Sequence, residues 1–138
     1  MIVRGDDIGS ARSSNLAIID DFKNGMISTT EIMVPAPWFN EAALMLTETP
    51  DLDVGIHLVL TSEWTYFRWR PLTSGLSFRD KEGIFYPNVW GGNSLQTAKL
   101  DYTEIEAELG HKLNWRCRKF RRLPILPNTC ILVIWIAN

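Results

Sequence analysis

A nearly continuous apolar run over residues 53–60 most limits what this chain can fold into. A run of this length is typical of a β-strand buried on both faces, and such strands occur in parallel sheets. The preceding segments predict a short strand at the start of the chain, a helix over residues 12–25, a strand over 26–34 and a helix over 38–47. Strand, helix, strand, helix, strand at this spacing predicts a βαβαβ unit and an α/β fold with a parallel sheet.

Capping and spacing signals support both helices. Ser10 is positioned to cap the first helix, and Asn24-Gly25 follows where that helix should end. Apolar residues at helical spacing predict the buried faces. They are Leu16, Ile18, Ile19 and Phe22 in the first helix and Phe39, Ala42, Ala43 and Leu46 in the second.

Two adjacent carboxylates, Asp6 and Asp7, follow the first strand and precede Gly9. In a parallel α/β fold they would lie at the carboxyl end of a strand, where such folds build their sites. Neighbouring side chains on a strand point to opposite faces, so different roles are expected for the two, one holding a metal and the other handling a proton. The alternative is that they only cap the following helix.

His57 lies inside the apolar run, where an unpaired imidazole would be costly. A core histidine is more often hydrogen-bonded than metal-bound. His57 and the Asp6-Asp7 pair, however, both lie near the ends of predicted parallel strands, and side chains from different strand ends converge in such folds. Asp plus His is an incomplete set for a divalent metal, which normally needs at least one more protein ligand.

An aromatic segment over residues 62–100 interrupts the strand and helix rhythm before a further helix begins near Asp101. Residues 80–83, Asp-Lys-Glu-Gly, are typical of a turn between extended pieces. A loop of this length is usually functional or disordered, and its aromatic content argues against disorder. Such rings stack on sugars in carbohydrate sites, but they could equally pack a lid onto the domain. They are Trp64, Tyr66, Phe67, Trp69, Phe78, Phe85, Tyr86 and Trp90.

Charge and cysteine content set the C-terminal residues 111–138 apart. The net charge is −2, but 6 of the 14 basic residues and none of the 16 acidic residues fall in this tail. Cys117 and Cys130 match no metal or redox spacing. The apolar run at 130–136 is too short to span a bilayer as a helix. With no signal peptide evident, the sequence predicts a soluble, cytoplasmic body.

Several segments together resemble the YdjC/ChbG-like carbohydrate deacetylases. Residues 2–9 are close to that family's strand with its Ala-Asp-Asp-Phe-Gly motif, and residues 54–61 resemble its Val-Gly-Leu-His-Leu-Asn-Leu-Thr strand. The loop segments 70–72 and 80–87 are similar too. The match runs from residue 1 to about 110, with Ile8 in place of Phe as a departure.

This resemblance implies the N-terminal part of an irregular, TIM-like (β/α) barrel of the glycoside hydrolase/deacetylase type. It implies hydrolysis of the amide bond of an N-acetylated sugar, such as a chitooligosaccharide, with a divalent metal held by one Asp and two His. Mg²⁺ is the metal expected, with Zn²⁺ as the alternative. Asp7 and His57 would be metal ligands, and Asp6 would be the general base on the attacking water. The substrate-binding residues of the prediction are Asn15, Arg70 and Tyr86.

The chain departs from the family pattern after residue 110. The family supplies its second His from a Leu-Asp-Ser-His strand, whereas here the only other histidine, His111, stands in a basic context and is expected to be solvated. The predicted organisation is therefore a deacetylase-like barrel fragment over 1–110, with its aromatic insertion at 62–100, and a divergent tail over 111–138. A frameshifted or truncated product is the simplest account, with an authentic divergent tail as the alternative, and the barrel is expected to be incomplete.

Three functions follow as hypotheses. The first is a metal-dependent carbohydrate deacetylase of weak or absent activity unless a further ligand is supplied. The second is a carbohydrate-binding remnant without catalysis. The third, given the least weight, is an acidic-surface or nucleic-acid binder that uses the basic tail with Trp115 and Phe120. The favoured prediction has a small carbohydrate as partner, no nucleic acid and no membrane, with a homodimer also considered.

Overall fold

The computed structural model describes residues 1–119 and 132–133, with side chains described up to residue 115. The strands are β1 (Arg4–Ile8), β2 (Thr29–Ile32), β3 (Asp53–His57) and β4 (Leu132–Val133). The helices are α1 (Arg12–Asn24), α2 (Phe39–Thr47) and α3 (Tyr102–Lys119), with a 3₁₀ turn at Leu95–Thr97. The four strands form one parallel sheet in the order β1-β2-β3-β4. The predicted α/β class with a parallel βαβαβ unit is confirmed.

The start of α1 differs from the prediction. Its N-cap is Ala11, in extended backbone, and no side chain caps the helix. Ser10 instead lies in the turn after β1, where its backbone N–H bonds Asp7 O at 3.1 Å and its buried hydroxyl has no hydrogen-bond partner. The prediction that Ser10 caps α1 was therefore wrong, and so was the alternative that Asp6 and Asp7 cap this helix. Leu16 is also exposed, while Gly25 ends the helix as predicted.

The main core lies between the sheet and the first two helices. The four residues predicted for the inner face of α2 are all buried: Phe39, Ala42, Ala43 and Leu46. They pack with residues of all three N-terminal strands, among them Ile8, Ile32 and Ile56. Burial of this kind contributes roughly 1.5–3 kcal/mol for each large aliphatic or aromatic side chain. The helical spacing of these residues thus predicted the core of this half correctly.

The aromatic segment folds back over the carboxyl end of the sheet. Trp69, Phe78 and Phe85 are buried in a second cluster, which also contains Met33 and Val59. Other aromatic rings of the segment are exposed or partly exposed, including Trp64, Tyr66, Phe67 and Trp90. The segment therefore combines lid packing with a set of accessible rings.

The turn predicted at residues 80–83 is present. Gly83 N–H bonds Asp80 O at 3.0 Å, and Gly83 has φ +75°, which favours glycine. Arg68 secures the turn, because its Nη2 donates to Asp80 Oδ2 at 2.8 Å and to Phe85 O at 2.6 Å. These contacts order the segment around its buried aromatic residues.

A buried ion pair joins α3 to the rest of the molecule. Lys112 Nζ lies 3.0 Å from Glu108 Oε1 and donates to Val59 O at 2.6 Å, and both side chains are fully buried. The Glu108 carboxylate also accepts hydrogen bonds from the backbone N–H groups of Leu72 and Thr73. Burial lowers the pKa of Lys112 to about 8, against the opposing effect of Glu108. The pair fixes α3 beside the end of β3.

Two residues bear on the hypothesis that the basic tail binds an acidic surface or a nucleic acid. Lys112, counted among the basic residues of the tail, is buried in its ion pair, and the Trp115 ring packs edge-on against Phe39 at 5.3 Å. Helix α3 runs through residue 110, where the fragment was predicted to give way to the tail. Phe120 and Cys130 lie outside the described residues. Within the part of the chain that the structure describes, no helix is long and apolar enough to cross a membrane.

Candidate metal centre

Asp6 and Asp7, at the end of β1, both face one cavity. The expectation that neighbouring strand residues point to opposite faces fails here, because the β1 register with β2 shifts between Gly5 and Ile8. Asp7 also has φ +62°, in the left-handed region that non-glycine residues seldom adopt. Such a backbone departure typically costs about 1–3 kcal/mol and is concentrated at functional sites. It turns the Asp7 carboxylate toward β2 and β3.

Asp7 and His57 meet directly. The distance from His57 Nδ1 to Asp7 Oδ1 is 2.6 Å, and His57 is buried whereas the Asp7 side chain is partly exposed. An ionised carboxylate only accepts hydrogen bonds, so this contact is a hydrogen bond when His57 Nδ1 carries a proton. The convergence of these two strand ends, predicted from the sequence, is confirmed.

Glu31, which sequence reasoning missed, completes the cluster from β2. One ligand atom from each of Asp7, Glu31 and His57 lies within 4.8 Å of the others. Glu31 is only 2% exposed, and its Oε1 accepts the backbone N–H of Asp7 at 3.1 Å. The available signal was a carboxylate inside a strand of β-forming residues, between the strands that carry Asp7 and His57.

The electrostatics of Glu31 are set mainly by burial. Removal from water raises the pKa of its carboxyl to about 7, although the Asp7 N–H bond and Arg4 act in the opposite direction. Arg4 Nε lies 3.0 Å from Glu31 Oε2 and 2.8 Å from Asp6 Oδ1. The Arg4 N–H is directed to Asp6, so Glu31 Oε2 is buried without a hydrogen-bond partner.

A cavity of about 150 Å³ opens onto this cluster. Its walls combine charged, hydroxyl, apolar and aromatic groups: Asp6, Asp7, Glu31, Met33, His57, Val59, Thr61, Glu63, Trp64 and Trp69. Trp64 and Trp69 stand edge-to-face with ring centroids 6.1 Å apart. A larger and more open groove of about 640 Å³ lies against the start of α3, but its lining includes none of the cluster residues. The smaller cavity is therefore the candidate site.

The residues present suit a divalent cation. Two carboxylates and one imidazole are ligand types that Mg²⁺, Mn²⁺ and Zn²⁺ accept in proteins. The buried Glu31 Oε2 is a further sign, because it accepts no hydrogen bond and the one cation near it, Arg4, is shared with Asp6. Asp7, His57 and Glu31 are thus the residues that would hold the cation.

The three residues predicted to bind substrate lie outside the cavity lining. Asn15 is fully buried; its Oδ1 accepts Gly9 N–H at 2.7 Å, and its Nδ2 donates to Trp38 O at 3.2 Å. Arg70 Nη1 donates to Glu82 O at 2.9 Å across the aromatic segment. Tyr86 is partly buried, and its carbonyl accepts Ser62 N–H at 2.9 Å. Their substrate-binding roles stay predictions.

Comparison of the sequence with known proteins identifies a family. The sequence profile of the YdjC-like protein family matches residues 1–119, somewhat beyond the resemblance seen in the sequence. Proteins named chitooligosaccharide deacetylase from Yersinia pestis (strain Pestoides F) and Yersinia pseudotuberculosis (strain YPIII) are each 38% identical over 109 residues. Those matches cover 79% of this chain but 40% of the relatives, so the chain spans less than half of their length.

A solved structure shares the fold. The crystal structure of a candidate cellobiose-phosphate cleavage protein from Enterococcus faecalis V583 superposes with a TM-score of 0.72 at 25% sequence identity. The superposition covers 88% of this chain and 44% of the Enterococcus chain.

Proposed function

Because the chain belongs to the YdjC-like protein family, we propose that its site serves carbohydrate deacetylation, the hydrolysis of the N-acetyl amide of an N-acetylated sugar. The observation that carries the proposal is the Asp7, Glu31 and His57 cluster at a cavity shared with Asp6 and two tryptophans. Relatives named chitooligosaccharide deacetylase support a chitooligosaccharide as the substrate class.

The parts of the cavity have distinct roles in this proposal. Trp64, Trp69 and Val59 offer apolar surface for the sugar ring and the acetyl methyl group. Asp6 acts as general base on the attacking water, and Arg4, bonded to Asp6 Oδ1, holds that carboxylate in position. A bound divalent cation would polarise the acetamide carbonyl and favour attack on it.

The structural setting of the site is proposed to be the first part of an irregular, TIM-like (β/α) barrel. Parallel strands that follow one another in sequence order, with helices in between, are the building pattern of such barrels. The clustering of Asp7, Glu31 and His57 at the carboxyl-terminal parts of β1, β2 and β3 agrees with the location of sites in that fold. The Mg²⁺ preference, the division at residue 110, a cytoplasmic location and a homodimer remain predictions.

Acetate release from N,N′-diacetylchitobiose and longer oligomers, with Mg²⁺ or Zn²⁺ present, tests the proposal. We expect slow release that is lost in Asp6→Asn and Asp7→Asn and is retained in Asp51→Asn, a control at an exposed carboxylate outside the cavity. Release unaffected by the cavity variants would refute the assignment.

A second candidate is a carbohydrate-binding chain without catalysis. It is favoured by the exposed rings of the aromatic segment, because such rings can stack on sugars without any catalytic group; they are Trp64, Tyr66, Phe67 and Trp90. Sugar binding that survives Asp7→Ala, in a protein that releases no acetate with either metal, would support this candidate over the deacetylase.

A further inference from the structure

We propose that Glu31 is a direct ligand of the divalent cation, contributed by β2, and that the chain supplies a set of two carboxylates and one imidazole. This inference rests on the proposed metal site of Asp7 and His57 and deepens it. It differs from the set of one Asp and two His that the family resemblance implied.

A third protein ligand is expected beside Asp7 and His57, because a divalent metal normally needs at least three protein ligands beside water. Among the residues that the structure describes, Glu31 is the one that the fold places beside the other two. His111 is exposed on α3 and absent from the cavity lining.

Burial separates Glu31 from an ordinary carboxylate near a site. Its side chain is 3% exposed, and Oε2 lies 3.0 Å from Arg4 Nε in an ion pair but accepts no hydrogen bond. The other oxygen, Oε1, accepts the N–H of Asp7, so the backbone that positions one ligand also orients the Glu31 carboxylate. Because the Arg4 N–H is directed to Asp6, Oε2 keeps lone pairs with which a cation could be bound.

The formal charges at the site favour a cation. The carboxylates of Asp6, Asp7, Glu31 and Glu63 line the cavity, and Arg4 lies within 3.0 Å of both Asp6 and Glu31. When all four are ionised, their negative charges exceed the one positive charge of Arg4. Carboxylate oxygens with a single imidazole favour Mg²⁺, Mn²⁺ or Zn²⁺ over soft, thiolate-seeking metals.

Calorimetric titration of the full chain with Co²⁺ and Zn²⁺, together with the visible absorption of bound Co²⁺, tests this inference. Glu31→Gln should weaken binding by more than ~100-fold, since even residues that only support ligands cost about 10–100-fold when removed. The Co²⁺ spectrum should change as well, because one ligand is lost. Glu31→Asp retains the charge but shortens the side chain, so it should also weaken binding.

The matched control is Glu63→Gln, which removes the same charge from the same cavity at an exposed residue bonded to Thr61. The inference is overturned if Glu31→Gln weakens binding no more than Glu63→Gln does, or if it leaves the Co²⁺ spectrum unchanged. It is also overturned if the folded wild-type chain binds neither metal. If metal binding depends on Glu31 but no acetate is released, Glu31 is upheld as a ligand and the deacetylase function is refuted. If acetate is released but metal binding does not depend on Glu31, the deacetylase function is upheld and the ligand role of Glu31 is refuted.

Discussion

Replacing Glu31 by Gln should stabilise the metal-free protein even though it weakens metal binding. Glu31 is nearly inaccessible to solvent, and burial raises the pKa of its carboxyl from 4.5 to about 7. At about 1.4 kcal/mol per pKa unit, the ionised side chain destabilises the fold by ~3 kcal/mol relative to its neutral form. Gln carries no charge and can still accept the Asp7 N–H bond.

The difference in the free energy of unfolding between Glu31→Gln and wild type should grow as the pH rises. Below pH 4.5 Glu31 is protonated in both the folded and the unfolded chain, so Glu31→Gln changes the free energy of unfolding little. Between pH 4.5 and about 7 the unfolded chain releases its proton first, and wild-type stability falls as the pH rises. Above pH 7 the advantage of the variant is complete.

Urea unfolding of both proteins in a chelator, from pH 4.5 to 8, measures the difference. Glu106→Gln, at an exposed position of α3, is the matched control and should show no such trend. A variant that is no more stable than wild type at pH 8, or a difference that is constant across this range, would refute the reasoning.

Three further substitutions test the framework that supports the site. Lys112→Met leaves Glu108 buried without its cation and should lower the free energy of unfolding in urea by about 3–5 kcal/mol. Adding Glu108→Gln should restore part of this loss. A loss below about 1 kcal/mol in Lys112→Met would contradict the ion-pair account. Gly9→Ala should lower the melting temperature and the free energy of unfolding, the latter by about 1–3 kcal/mol. The reason is that Gly9 has φ +103° and that an added Cβ would lie 3.2 Å from Met33 O. An unchanged melting temperature would contradict this prediction. Asn15→Ala should lower the free energy of unfolding by about 1–3 kcal/mol, because it leaves the N–H of Gly9 and the carbonyl of Trp38 without their partner. A raised KM without loss of stability would instead support the predicted substrate-binding role of Asn15.

The parts of the fold that depend on local periodicity were predictable. Phe39, Ala42, Ala43 and Leu46 recur at helical spacing, and all are buried as that spacing requires. The apolar run containing His57 likewise predicted β3 and its place in a parallel sheet. In both cases, a few neighbouring residues contain the whole signal.

The parts that depend on contacts distant in sequence were not predictable in this way. Asp7 shares a cavity with Asp6 because of a register shift and a positive φ, which a regular strand pattern does not foresee. Glu31 looked like one polar residue among β-formers, and its role depends on neighbours more than 20 positions away. Lys112 looked like part of a solvated basic tail, but its surroundings come from Glu108 and the carbonyl of Val59.

The most direct test of the account is the stoichiometry of divalent cation binding by the purified chain. Calorimetry with Mg²⁺ and Zn²⁺ should show one cation per chain, and binding should be lost in both Asp7→Ala and His57→Ala but retained in Asp51→Ala. A folded protein that binds neither metal, or that binds one equally well after both cavity substitutions, would contradict the metal centre and the chemistry proposed for it.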